Sequence, residues 1–199
     1  METLLPLLGF AVATSVTPGP NVLMVAASAA NNGVRATVPH MAGITIGFAV
    51  MLLLVGLGLA APFAAWPALH TLLKWGGGAW LLVLAWKIAR AGAPGEGPSR
   101  PPLGFLGAAL FQWVNPKAWL IALAAIPAFT TPAGDTLAET LRIAAAFALV
   151  CFPCTAVWAF LGAGAARLLH TPAMLRGFNL AMAALMVLSL VPAFLDRAN

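Results

Sequence analysis

The chain has 199 residues, of which 62% are hydrophobic and 8% charged, with a formal net charge of +5. A soluble domain carries about a quarter charged residues, so an ordinary water-soluble enzyme is excluded, and so is a disordered tail. The ten Lys and Arg are dispersed rather than clustered, which speaks for charge in membrane loops and against nucleic acid.

Between Met41 and Leu69 there is no Asp, Glu, Lys or Arg. That run exceeds the roughly 20 residues a helix needs to cross a bilayer. The expected fold is an all-α polytopic membrane protein, one transmembrane domain over 1–199 surrounded by lipid. Its apolar segments are continuous rather than alternating, which excludes a β-barrel. Six transmembrane helices are predicted, at about 3–28, 40–63, 69–89, 103–129, 140–166 and 173–195.

Met1-Glu2-Thr3 offers no basic n-region, so the first segment is expected to stay as a membrane helix rather than be cleaved. That segment contains Thr17-Pro18-Gly19-Pro20-Asn21. Pro18 and Pro20 have no N–H, so the carbonyls of Thr14 and Val16 lose their helical partners. Each proline also pushes the residue before it out of helical angles, and Gly19 permits close approach. A broken helix is predicted. Its exposed backbone groups must face protein or a polar cavity.

Asn31-Asn32-Gly33-Val34-Arg35 reads as the first loop. Gly43 and Gly47 form a small-xxx-small face for helix packing in the second segment. A tight connection follows at Pro62 to Pro67, and Trp66, Trp75 and Trp86 read as interfacial anchors. A Gly/Pro-rich linker is predicted at about 91–102 and includes Arg100.

The fourth segment holds Gln112 and Asn115-Pro116-Lys117. Pro116 frees the carbonyl of Gln112, and the two amides lie beside it. Lys117 falls near the segment centre, where a charge costs at least about 2.5–3.5 kcal/mol. All five carboxylates, Glu2, Glu96, Asp135, Glu139 and Asp196, lie outside the segments or at their edges. No buried acid is on offer for a second cation, which favours a small neutral substrate over a cationic one. The same absence leaves Lys117 as the titratable group for proton coupling.

Leu69-His70-Thr71 and Leu169-His170-Thr171 open the third and sixth segments, and Gly56-Leu57-Gly58 resembles Gly162-Ala163-Gly164. These matches predict a 3+3 inverted repeat, about 1–90 and 103–199, with helices 1 and 4 broken. Two half-helices and Lys117 would then offer positive potential to a carboxylate, and freed carbonyls would accept from an ammonium group. Pro18, Gly19, Pro20, Asn21, Gln112, Asn115, Pro116 and Lys117 form the predicted substrate site.

Cys151-Phe152-Pro153-Cys154 supports an alternative, a quinone- or thiol-linked membrane oxidoreductase. Such enzymes relay through a second cysteine pair, and the chain has two cysteines in all. His40, His70 and His170 make no metal-ligand spacing, and H-E-x-x-H, G-x-S-x-G and Walker motifs are absent. No cofactor and no enzymatic reaction are expected. Arg35, Lys87, Arg90, Arg100, Arg167 and Arg176 outweigh Lys74, Arg142 and Arg197, which predicts both termini outside the cytoplasm.

At Thr17-Pro18-Gly19-Pro20-Asn21-Val22-Leu23-Met24, and again at Asn115-Pro116-Lys117-Ala118, the chain resembles the lysine exporter (LysE/RhtB) family of amino-acid efflux permeases. Gly43, Gly47 and Leu84-Ala85-Trp86-Lys87 extend the resemblance over nearly the whole length. It implies export of amino acids across a bacterial inner membrane, driven by the proton-motive force, and a homo-oligomer is compatible with it. Where many family members carry an acid, just after the second glycine of the second segment, this chain has Phe48. That departure is similar to the branch that includes the cysteine/O-acetylserine exporter.

Overall fold

A computed structural model describes residues 3–59, 61, 65, 67–91, 103–131, 134–169, 171–189 and 191. All regular structure among them is helical. The predicted linker from residue 92 onward, the connection around Pro62, Trp66 and His170 lie outside the described residues, as do the side chains of His70 and Lys74.

The first predicted segment is two helices, α1 (Leu4–Val16) and α2 (Pro20–Asn32), bent by 54° at the break. Pro18 ends α1 by forcing Thr17 to extended angles, φ −60° and ψ 133°. Pro20 then opens α2 at its first helical position, where no N–H is missed.

The loop expected at Asn31–Arg35 shrinks to a one-residue corner at Gly33, with φ +81°. Only glycine adopts that angle at little cost. Asn31 and Asn32 complete α2, and Arg35 lies in the first turn of α3 (Val34–Leu54). The chain continues from α3 through a π-type turn at Val55–Leu59. Next comes α4 (Pro67–Ala89).

The fourth segment is broken as predicted. Helix α5 (Phe105–Phe111) tightens into a 3₁₀ turn at Gln112–Val114, and α6 (Pro116–Phe129) leaves at 70°. Helix α7 (Thr136–Leu168) starts earlier than its apolar run because Asp135 caps it, accepting from the Ala138 N–H. Thr171 caps α8 (Pro172–Leu188) in the same way, accepting from Met174.

Val34–Leu59 and Thr136–Leu168 are each long and apolar enough to cross a membrane, and each bent pair adds a span if it is read as one. Large apolar side chains such as Leu149, Phe160 and Leu168 lie on the outside. Lys87 and Arg90 place their charges 5.5 and 4.3 Å from the rings of Trp80 and Trp86, as residues at a membrane interface do.

Helix α7 is the spine, packed along α1, α2 and α3, while α3 also packs on α5 and α4 on α8. Glycines set the closest approaches. A Cβ at Gly162 would collide with the Ala26 carbonyl, one at Gly43 with the Phe105 carbonyl, and one at Gly47 would lie 2.5 Å from the Ala109 Cα. These contacts bring the halves of both broken segments against α3 and α7, which places the two breaks side by side.

Candidate functional site

Proline removes a donor at each break, so the site begins as a question of where the freed carbonyls go. The Val16 carbonyl, freed by Pro20, accepts the indole N–H of Trp158 at 3.1 Å. The Thr17 carbonyl accepts the ammonium of Lys117 at 2.7 Å, and the Pro18 carbonyl lies 3.5 Å from the same Nζ. In the second break the Gln112 carbonyl takes the Asn115 N–H at 3.3 Å. The Trp113 carbonyl takes the Trp119 indole at 2.8 Å.

Lys117 is the second residue of α6, so its charge sits at the positive end of that helix. Asn115 caps the helix by accepting from the Lys117 N–H at 3.1 Å. The side chain then crosses to the end of α1, where the carbonyl end of that helix is negative. Its neighbour there is Gly19. A Cβ at Gly19 would lie 2.8 Å from Lys117 Cδ and 3.1 Å from Nζ, so the absence of a side chain makes room for the lysine.

Asn21 and Gln112 join the two breaks by a reciprocal amide pair at 2.8 and 3.2 Å. Gln112 is fully buried and also donates to the Ala108 carbonyl at 2.9 Å. Gly19 caps α2 without a side-chain hydrogen bond, so the first-turn N–H groups of α2 are not satisfied by a cap. Asn21 and Val22 of that turn line a cavity together with Thr17, Gly19, Asn115 and Lys117.

The cavity measures about 40 Å³, room for roughly three waters. Even glycine has more non-hydrogen atoms than that, so this conformation does not yet hold an amino acid. Its apolar wall includes Ile44, Phe48 and Ile121, and Cys151 and Thr155 are among the other residues that line it. Six of the eight predicted site residues thus meet at or beside one cavity, Gly19, Asn21, Gln112, Asn115 and Lys117 by lining it and Pro18 through its carbonyl beside Lys117, while Pro20 opens α2. Pro116 contributes by opening α6.

Cys151 and Cys154 are both free thiols. Cys151 faces the cavity, whereas Cys154 lines an outer apolar groove with Val12, Val16 and Val157. Sequence reasoning missed a second amide pair. Asn31 and the fully buried Asn179 exchange hydrogen bonds at 2.9 and 3.1 Å, and Asn179 also donates to the Ala91 carbonyl at 3.2 Å.

The LysE type translocator family model matches residues 12–191. The cysteine/O-acetylserine efflux protein of Salmonella typhimurium is similar, 34% identical over 154 residues that cover 77% of this chain and 78% of that protein. The cysteine/O-acetylserine efflux protein of Escherichia coli K12 is 31% identical over 186 residues, covering 93% and 94%. The Shigella flexneri serotype 5b protein of the same name aligns with the same identity and coverage. No solved structure matches the chain.

Proposed function

We propose, from the premise that the chain belongs to the LysE type translocator family, that it exports small neutral amino acids, cysteine and O-acetylserine foremost, across a bacterial inner membrane. The observation that carries this reading is the meeting of three features at one cavity: the carbonyl end of α1, the uncapped start of α2 and the ammonium of Lys117. A zwitterion needs all three. Its ammonium group would take the carbonyls of Thr17 and Pro18, and its carboxylate would face Lys117 and the N–H groups of α2. Asn21 and Gln112 hold the two breaks in register, and Asn115 caps α6. Phe48 presents an apolar ring where a cationic side chain would need an acid, which supports neutral cargo.

Transport by alternating access follows from the 3+3 plan, with 1–90 and 103–199 as inverted halves and both termini outside the cytoplasm. Support comes from the packing: α3 and α7 lie against each other, and each carries the first helix of the other half's broken segment. The proton-motive force supplies the energy in this reading.

Proteoliposomes loaded with labelled cysteine, O-acetylserine, leucine and lysine test it. Efflux of the neutral amino acids above empty liposomes, rising with an imposed pH gradient and lost in Lys117→Ala, is expected. Lysine as the best cargo, or no efflux of any of the four, overturns it.

A further inference from the structure

We infer that the Lys117 ammonium is a tethered stand-in for the substrate's own ammonium group, so that a ligand gains the seat only if it also carries a carboxylate to draw Lys117 away. This rests on the exporter reading above and deepens it.

The geometry is that of an occupied cation seat. Nζ donates to the Thr17 carbonyl at 2.7 Å and lies 3.5 Å from the Pro18 carbonyl. These are neutral acceptors at the carbonyl end of a helix, the kind of backbone group that coordinates cations at broken membrane helices. Among the described residues the charge has no carboxylate partner there. The two described acids are engaged elsewhere, Asp135 in capping α7 and Glu139 with Thr131. A primary ammonium group on a small molecule has the same three donors as Lys117 and would fit the same acceptors.

Seat and cavity are continuous, because Thr17, Gly19 and Lys117 all line the cavity. A simple amine arriving there finds its acceptors already filled by a charge of like sign. An α-amino acid brings its own remedy. Its carboxylate pairs with Lys117, the lysine swings off the carbonyls, and the amino group replaces it. The exchange conserves charge at the break and opens the cavity beyond its present volume. Amines without a carboxylate are thereby rejected, and acids without an amine leave the carbonyls bare.

Three ligands separate these cases on the purified protein: cysteine, cysteamine (cysteine without its carboxylate) and 3-mercaptopropionate (cysteine without its amine). Binding is read by calorimetry under reducing conditions. In the wild type, cysteine is expected to bind roughly tenfold or more tightly than either fragment, the scale of one charge-assisted hydrogen bond. Lys117→Met vacates the seat and is expected to tighten cysteamine by roughly tenfold relative to the wild type. Gly19→Ala gives an independent test, since its Cβ would press on the flexible end of Lys117 and unseat it while the charge remains. It too is expected to gain affinity for cysteamine. A folded variant of either kind that gains nothing overturns the inference. If the wild type binds cysteine and the variants gain no amine affinity, the seat fails and the exporter reading survives. If the wild type prefers cysteine and the variants gain cysteamine, but proteoliposomes export none of the four amino acids, the seat survives and the exporter reading fails.

Discussion

Asn21 and Gln112 exchange side-chain hydrogen bonds at 2.8 and 3.2 Å across a sequence separation of 91 residues. The pair ties the start of α2 to the 3₁₀ turn before α6, and so fixes one helix break relative to the other. Gln112 is fully buried, so removing its partner leaves an amide without water to replace it. Asn21→Leu and Gln112→Leu are each expected to cost about 1–3 kcal/mol. The double variant should lose less than the sum, because neither amide is then left alone. Thermal unfolding in detergent of all four proteins measures the coupling, and strict additivity would mean that the pair carries none.

Helix packing makes a sharper stability prediction at single methyl groups. Gly162→Ala drives a Cβ into the Ala26 carbonyl, and Gly43→Ala does the same to the Phe105 carbonyl. These are backbone atoms and cannot swing aside, so each change is expected to destabilise by about 1–3 kcal/mol. Gly164→Ala, two residues from Gly162, meets nothing within 4 Å and should be neutral or mildly stabilising in its helix. The measurement is the midpoint of thermal aggregation in detergent for the three variants side by side.

The breaks themselves were legible in the sequence because a proline removes a particular N–H and therefore frees a particular carbonyl. What answers those carbonyls was not legible. Trp158 reaches Val16 from 142 positions along the chain, and no local pattern at either residue announces the pair. Asn31 failed for the opposite reason. Asn-Asn-Gly is local turn chemistry, and it reads as a loop until Asn179 and the corner at Gly33 are brought to it by tertiary packing. Asn179→Leu tests that second pair. It is expected to cost about 1–3 kcal/mol, since Asn31 and the Ala91 carbonyl both lose a partner, and unfolding midpoints against the Asn31→Leu/Asn179→Leu double variant would show it.

Phe48 offers a test of cargo selection. It lines the cavity with Lys117, and it is the position where an acid would change the charge of the pocket. Phe48→Asp is expected to lower efflux of cysteine and O-acetylserine about tenfold or more, because a carboxylate lining the same cavity as Lys117 competes with the substrate's own. Lysine should gain relative to them, since the new acid can receive its side-chain ammonium. Counterflow with mixed labelled substrates reads the ratio, and an unchanged preference would remove Phe48 from the pocket's selectivity.

Cys151 lines the same cavity as Lys117. It lies in the cavity wall one helical turn before Thr155, whereas Cys154 opens on the outer groove between α1 and α7. The two thiols therefore look into different surroundings, although they are only three residues apart on one helix. In a Cys154→Ala background, a maleimide on Cys151 is expected to block efflux, because the cavity has no volume to spare for the adduct. Excess O-acetylserine should slow the labelling by occupying the space first. Cys151→Ala/Cys154→Ala should keep more than about half of the wild-type efflux, since a methyl group preserves the wall apart from a small void. Labelling rates by mass spectrometry, together with efflux of the double variant, decide the matter. Complete loss of transport in the double variant would make thiol chemistry part of the cycle and return the oxidoreductase reading to contention.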